Sequence, residues 1–435
     1  MAQQLLIRDV TLIDGTGAPP VEGATIAIED GKIVAAGRSG AAWDGAQVID
    51  GGGLWAVPGL IDTHVHVELV GAKSLPLFLA LGLTTVRDLG GDLDILGNAR
   101  KALQNGAAGP RLLFTGPMID GDPPTWPALN RATPDAEGAA RAVEEHLAAG
   151  ADAIKLYTTL PLESLRRCIE QVDGRVPVTG HLGRVLASEA MEAGINGLEH
   201  ALLTPYNDLA PDGMQTAHDE TMVSPGYWLK VINGWLEADL DSERAKRWIA
   251  LLVEKDVSFC PTLTVAPGAG DEASEDELRF APRVAERWLE ATSQRQAVQA
   301  PPEMQRRARG ARAKLQELVL RVHEAGGRIV SGTDTGAVRS LVPGYALHHE
   351  LAYLADAGLS NMAVLRAATA RAAEALGRDD VGTIEAGKRA DVLLVRRNPL
   401  DDVGALREIE RIVADGRVYE PAALLAGLAT SEGAG

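Results

Sequence analysis

Four histidines and an aspartate occupy positions at which they could bind a metal ion. His64 and His66 lie in the segment DTHVH. Side chains two residues apart on a strand point to the same face, so both imidazoles would face one site. His181 ends the apolar run VPVTGH, His200 ends GLEH, and Asp334 ends RIVSGTD. Since neutral imidazoles and carboxylates suit Zn²⁺ and similar divalent ions, this set predicts a metal centre.

Lys155, in the apolar segment DAIKLY, is a further unusual residue. A lysine that points into a protein interior from a strand is unfavourable unless its charge is compensated. Buried and uncharged, its amine could react with CO₂ to form a carbamate, whose two oxygens can bridge two cations. The alternative is a buried ion pair between Lys155 and a carboxylate, which the residue taken alone favours.

These residues require elements that bring their strand ends together. From Pro58 to about Leu376, short apolar segments alternate with amphipathic stretches such as PLESLRRCIEQVDG. The predicted strands are GLIDTHVHV, LTTVRDLG, RLLFTG, DAIKLYT, VPVTGHL, GLEHALL, VSFCPTLTV and RIVSGTD. Eight alternating strand and helix units over about 320 residues are typical of an α/β fold of the (β/α)8 TIM barrel type. A doubly wound sheet is the alternative, but no Gly-x-Gly-x-x-Gly follows the first of these strands.

The two ends of the chain have a different pattern. Residues 4–56 contain short strands separated by Gly and Asp, and the segments ADVLLVRRNP and EIERIVADGRVYE repeat this pattern near the other end. DG and GG pairs between β-branched runs indicate hairpins. We therefore predict a small β-sandwich domain built from residues 1–57 and 382–435, and a barrel over residues 58–381. Inserts near 203–250 and 266–322 follow the sixth and seventh strands, where they could cover the site or form solvated outer helices.

Composition and charge exclude several classes of protein. The 435 residues are 46% hydrophobic and 23% charged, as in globular proteins. A net charge of −18 would repel phosphate groups, so nucleic acid and anionic membranes are not expected partners. Two cysteines, Cys168 and Cys260, exclude a disulfide framework. Neither a signal-peptide pattern nor a charge-free apolar run of about 18 residues is present, so we expect a cytoplasmic protein, and a homo-oligomer is left open.

The order of the candidate residues resembles that of one known family. His-x-His falls on predicted strand 1, Lys on strand 4, His on strands 5 and 6, and Asp on strand 8. With the segments VPGLIDTHVH, TTVRDLGG, SGTDTG and VGTIEAGKRADVLLV, this order is similar to that of the amidohydrolase superfamily in its two-metal form. The resemblance covers nearly the whole chain. It points to the imidazolonepropionase-like and prolidase-like subgroup, which includes Xaa-Arg dipeptidases and ochratoxinase-type amidases.

The resemblance implies a role for each of the six side chains. It implies two divalent metal ions, with Zn²⁺ as the expected metal. The buried ion would be bound by His64, His66 and Asp334, the more exposed ion by His181 and His200, and both would be bridged by an N6-carboxylated Lys155. Asp334 and Lys155 are then the catalytic residues, because Asp334 would accept the proton of the attacking hydroxide and pass it to the leaving nitrogen.

The expected activity is that of a metal-dependent amidohydrolase. Its substrate would be a small molecule with an amide C–N bond, namely a dipeptide, an N-acyl amino acid or a cyclic amide, attacked by a metal-bridging hydroxide. A lactonase, esterase or phosphotriesterase-like activity on the same centre is the alternative. A non-catalytic scaffold is a third hypothesis, which the presence of all six ligands disfavours.

Four residues are predicted to contact the substrate. Tyr157 lies two residues after Lys155 and could donate a hydrogen bond, or it could simply pack in the barrel. Arg184 and Arg339 follow metal-bearing strands and could bind a substrate carboxylate, or each could pair with a surface acid. His348 begins the segment after strand 8 and could reach the site from there.

Overall fold

A computed structural model describes residues 3–38, 43, 45–217, 222, 226–268, 273–280, 301–337 and 340–431. Its strands are, in chain order, β1 Gln4–Leu12, β2 Val21–Glu29, β3 Lys32–Gly37, β4 Gln47–Asp50, β5 Trp55–Pro58, β6 Leu60–Val65, β7 Leu83–Asp88, β8 Arg111–Phe114, β9 Met118–Asp120, β10 Asn130–Ala132, β11 Ile154–Leu156, β12 Val178–Gly180, β13 Gly197–Glu199, β14 Ser258–Cys260, β15 Arg328–Ile329, β16 Val392–Val395, β17 Ile409–Ala414 and β18 Arg417–Tyr419.

The helices alternate with the strands from β6 onward. Those of the described residues are α1 Val67–Val70, α2 Leu75–Ala80, α3 Leu93–Gln104, α4 Ala136–Ala148, α5 Leu162–Val172, α6 Ala187–Ala193, α7 Tyr206–Leu209, α8 Tyr227–Glu237, α9 Glu243–Glu254, α10 Glu275–Leu278, α11 Pro302–Glu324, α12 Tyr345–Asp356, α13 Asn361–Ala367, α14 Ala370–Ala375 and α15 Pro421–Ser431. Short 3₁₀ helices span Ala72–Ser74, Leu263–Val265 and Val403–Arg407.

Two parallel sheets form the barrel. One pairs β6, β7 and β8, and the other runs in the order β10-β9-β11-β12-β13-β14-β15. Backbone hydrogen bonds join the edges of the two sheets. At one edge the His66 N–H donates to the Thr335 carbonyl at 2.8 Å, and at the other the Asp152 N–H donates to the Phe114 carbonyl at 2.8 Å. With β8 and β9 as consecutive parts of the third strand, eight parallel strands close into a ring. The predicted (β/α)8 barrel is confirmed, and the carboxyl ends of its strands meet on one side.

The local sequence explains these elements. The barrel strands are covered on both sides, so every residue of β6 and β7 is buried, including the polar ones. Helix starts are set by capping side chains: Asp92 accepts hydrogen bonds from the first-turn N–H groups of α3, and Asp135 accepts one from α4. The helices then turn their apolar faces to the ring.

Both ends of the chain contribute to a separate mixed sheet, in the order β18-β17-β16-β5-β1-β2-β3, with β4 beside β1. Leu5, Ile26 and Val392, from different parts of this sheet, lie in one apolar cluster, so the sheet folds over its own core as a sandwich does. Leu393 and Ile412 point the other way and join the barrel core. The small domain from both termini is therefore present, while the domain limits at residues 57, 58, 381 and 382 remain predictions.

The two predicted inserts follow β13 and β14. The first contains α7 and α8, and the indole of the buried Trp235 donates to the Leu202 carbonyl at 2.7 Å. The second contains α10, where Glu277 pairs with His349 at 3.2 Å and with Arg407. Residues 218–221, 223–225, 269–272 and 281–300 of these inserts lie outside the described residues. Among the described helices, none combines the length and apolarity that crossing a membrane requires.

Candidate metal centre

The predicted ligands come together at the carboxyl ends of the barrel strands. His64 is the penultimate residue of β6 and His66 directly follows that strand. Their Nε2 atoms lie 3.2 and 3.0 Å from the Asp334 Oδ1. The His200 ring centroid is 4.7 Å from that of His64 and 4.2 Å from that of His181. One ligand atom each from His64, His200 and Asp334 lies within 4.8 Å of the others. Parallel strands thus place residues that are far apart in sequence around one point.

The surroundings of His181, His200 and Asp334 keep each of these side chains in the protonation state that binds cations. Burial lowers the pKa of His200 to about 3 and that of His181 well below its ordinary value, so both rings are neutral. Burial alone would raise the pKa of Asp334, but the charge and hydrogen bonds of His64 and His66 hold it well below its ordinary value. The site therefore offers the neutral imidazoles of His181 and His200 and the carboxylate of Asp334, which are donors that suit zinc.

Unpartnered buried atoms are consistent with a bound cation at this site. Lys155 Nζ and His181 Nε2 are buried and have no hydrogen-bond partner within the described part of the chain. Leaving such an atom unpaired costs roughly 1–3 kcal/mol. Burial also lowers the pKa of Lys155 to about 8. An uncharged amine at this position is compatible with a carbamate, whereas an ammonium would repel a cation.

Glu199 contacts one of the predicted ligands, although the sequence pattern did not predict it at the site. Its Oε2 lies 2.8 Å from His64 Nδ1, and its Oε1 accepts hydrogen bonds from Arg87 at 3.1 Å and from Thr179 at 2.6 Å. A carboxylate at Nδ1 fixes the ring orientation and leaves Nε2 for a metal. The only signal in the sequence was an acidic residue inside the apolar strand that His200 follows.

The backbone is strained where it presents the ligands. His200 has φ 67°, Thr262 has φ 46° and Asp334 has φ 60°, all in the left-handed region that non-glycine residues rarely adopt. His200, Thr262 and Asp334 lie one, two and five residues beyond the ends of β13, β14 and β15. The Thr262 hydroxyl is 2.8 Å from His200 Nδ1, so this turn also orients the ring. Such strain, of order 1–3 kcal/mol per residue, is concentrated at functional sites.

Tyr157 lies beside the predicted ligands. Its ring centroid is 4.9 Å from that of His181, and its hydroxyl oxygen accepts a hydrogen bond from the indole N–H of Trp126 at 3.0 Å. Burial and the nearby Asp334 raise its pKa, so the hydroxyl keeps its proton. Trp126, in the segment between β9 and β10, carried no signal in the sequence, because its approach to Tyr157 depends on the fold of that segment.

The other predicted substrate contacts are placed differently. Arg184 is exposed, and its backbone N–H donates to the Thr158 carbonyl at 2.7 Å. Arg339 lies outside the described residues. The structure does not bring His348 to the cluster: its Nε2 is 2.9 Å from the Leu81 carbonyl oxygen, which places the ring between helices. Burial lowers the pKa of His348 to about 4, so the ring is neutral. Its hydrogen bond to the Leu81 carbonyl links α12 to the end of α2.

Comparisons with known proteins are consistent with this geometry. The model of the Amidohydrolase family matches residues 55–419. The chain is 31% identical over 231 residues to the N-acyl-D-aspartate deacylase of Alcaligenes xylosoxydans xylosoxydans, a match that covers 46% of each protein. It is 46% identical over 61 residues to the imidazolonepropionase of Caldanaerobacter subterraneus subsp. tengcongensis, which covers 14% of this chain and 15% of that enzyme. These matches span about half or less of each relative.

Similar solved structures extend the likeness to the whole chain. The structure of the bottromycin amidohydrolase has a TM-score of 0.78 and 23% sequence identity, and the match covers 99% of this chain and 91% of that chain. At this level of identity the likeness concerns the fold.

Proposed function

Because this chain belongs to the amidohydrolase family, as its sequence predicts, we propose that it is a hydrolase that cleaves an amide C–N bond with two bound metal ions. The observation that carries the proposal is the convergence of buried imidazoles, a carboxylate and an unpartnered lysine amine at the carboxyl ends of the barrel strands. The similarity to an N-acyl-D-aspartate deacylase supports an amide substrate. Dipeptides, N-acyl amino acids and cyclic amides are the substrate classes that we propose.

The residues that would hold the two ions are those named from the sequence. They are His64, His66 and Asp334 for one ion, His181 and His200 for the other, and carboxylated Lys155 between them. When bound, divalent cations such as Zn²⁺ supply an activated water and polarise the carbonyl group of the substrate. Glu199 would position His64, and Thr262 would position His200, through the Nδ1 of each ring, which leaves each Nε2 available to hold an ion.

Two side chains would act on the substrate directly. The Asp334 carboxylate takes the proton of the attacking water and delivers it to the leaving nitrogen. Tyr157 donates a hydrogen bond to the carbonyl oxygen as negative charge develops there. An indole N–H can only donate, so the Tyr157 oxygen accepts from Trp126 and its own proton stays available for the substrate.

Metal content and turnover test this proposal together. Protein prepared with excess Zn²⁺ should contain two ions per chain. In a panel of dipeptides, N-acyl amino acids, cyclic amides, lactones and a phosphotriester, it should hydrolyse at least one of the amides. His64→Ala should lose both metal and turnover, because it removes a ligand. His323→Ala, on helix α11, is the matched control and should lose neither. One ion per chain would exclude the bridging lysine, and turnover of only lactones or phosphotriesters would exclude the amide reaction.

A further inference from the structure

A second cleft lies at the opposite end of the barrel from the candidate metal centre. Its volume is about 340 Å³. Thr84 in β7 and Arg111 at the start of β8 line it, which places it at the amino-terminal ends of the barrel strands. Asp415 and Arg417, from β17–β18 of the small sheet, form the other side. The cleft is therefore at the junction between the barrel and the small sheet, and it plays no part in the chemistry proposed above.

Arginines are concentrated around this cleft, although the chain as a whole has a net charge of −18. The arginines that line it are Arg100, Arg111, Arg378, Arg389 and Arg417. Four of them are paired with acids: Arg100 with Asp152, Arg111 with Asp391 at 2.8 Å, Arg378 with Asp380 at 2.7 Å, and Arg389 with Asp415 at 2.8 Å. Arg417 forms no ion pair with any described residue. The cleft thus has an excess of positive charge.

Two arginines retain unused hydrogen-bond donors there. Arg417 is exposed, and its Nη1 lies 3.5 Å from the position that a Cβ on Gly106 would take, so its guanidinium reaches from β18 toward the end of α3. Arg389 Nε is buried and has no hydrogen-bond partner in the described part of the chain. A buried N–H without a partner is unfavourable. The exposed part of the same side chain, 34%, faces the cleft and can contact an oxyanion there.

The lining also includes a set of apolar side chains, namely Leu103, Pro110, Leu112 and Tyr419, beside the polar side chains of Thr84 and Gln104. We propose that this cleft binds a small organic anion, with a carboxylate or phosphate group against Arg417 and Arg389 and an apolar body against the apolar side chains. A guanidinium holds both kinds of oxyanion with two parallel hydrogen bonds, so the geometry of the donors suits either group. The bound anion would connect the barrel to the small sheet. This inference holds whatever reaction the metal centre performs.

Calorimetric titration of the metal-loaded protein tests the proposal with three probes of similar size: benzoate, phenyl phosphate and the neutral benzamide. Benzoate or phenyl phosphate should bind, and benzamide should not. Arg417→Met should raise the Kd of the anion about tenfold or more, the effect of losing a charge-assisted hydrogen bond. Arg8→Met, which removes an exposed arginine from β1 of the same sheet, is the matched control and should leave the Kd unchanged.

Further comparisons distinguish this cleft from the metal centre. Arg417→Met should leave the rate of hydrolysis without added anion unchanged, since Arg417 is remote from the ligands. Arg389→Met should also weaken binding, provided that its thermal unfolding shows an intact fold. Anion binding that is equal in wild-type and Arg417→Met protein would overturn the proposal, because that binding would then belong to the metal centre. Equal binding of benzamide, or no binding of either anion, would overturn it as well.

Discussion

At the scale of single residues, the state of Lys155 decides whether two cations can share one site. Its Nζ is buried without a partner among the described residues, an environment that suits a carbamate. Lys155→Ala should lose most turnover and regain part of it in formate or acetate, whose oxygens can take the place of the bridge. Lys155→Arg should show no recovery, since a guanidinium remains cationic. Lys101→Ala, on the exposed face of α3, is the control; undiminished turnover in Lys155→Ala would refute the bridge.

A second single residue, Glu199, would affect the metal centre indirectly, through its contact with the ring of His64. It lies 2.8 Å from His64 Nδ1, so Glu199→Gln keeps the shape and removes the charge that orients the ring. We expect zinc affinity, measured by competition with a chelator, to fall about 10- to 100-fold, the range for losing such a partner of a ligand. Glu192→Gln changes an exposed glutamate on the nearby α6 and should have no effect. An unchanged affinity in Glu199→Gln would mean that the barrel alone orients His64.

At the scale of elements, helix α4 carries a histidine on the face that packs against the barrel. His146 follows Ala139 and Val143 at helical spacing, and burial lowers its pKa to about 4. A histidine with a lowered pKa in the folded state contributes stability above pH 6.5 that is lost as the pH falls toward 4. The expected loss is about 3 kcal/mol over this interval.

His146→Leu should remove that pH dependence. Relative to wild type, the free energy of unfolding of the variant should rise progressively as the pH is lowered from 7 to 4, and denaturant titrations at several pH values would measure it. His323→Leu, on the half-buried side of α11, is the control and should show no such trend. A difference between His146→Leu and wild type that stays constant with pH would show that His146 titrates normally.

At the scale of the whole molecule, the barrel and the small sheet are joined by a buried ion pair. Arg111 at the start of β8 and Asp391 before β16 lie 2.8 Å apart, with side chains 16% and 5% exposed. Removing one partner of a buried pair costs about 3–5 kcal/mol, because the other charge is left uncompensated. Asp391→Ala should therefore lower the Tm by several degrees in scanning calorimetry, while Asp401→Ala, at an exposed turn, should not. An unchanged Tm would show that this contact does not stabilise the junction.

The sequence by itself determined the barrel and the domain from both chain ends, and it predicted the side chains that would hold a metal. These follow from properties that are local in the chain: apolar runs of strand length, two-residue spacing in DTHVH, and polar residues directly after strands. Parallel strands then carry those residues to one rim, as the 3.0 Å separation of His66 and Asp334 shows. Lys155 was recognisable for the same reason, since an ionisable residue in an apolar strand is conspicuous without any tertiary information.

Only the tertiary structure decided which partners surround those residues. Glu199 meets His64 across 135 positions of sequence, and Trp126 reaches Tyr157 from a segment whose course no periodicity specifies. The nearness of His348 to strand 8 in the sequence predicts it at the site. Instead, its ring faces the end of α2, where its Nε2 contacts the carbonyl oxygen of Leu81, 267 positions away. A strand end specifies position along the barrel axis, whereas the partner of a buried polar atom depends on how separate elements pack together.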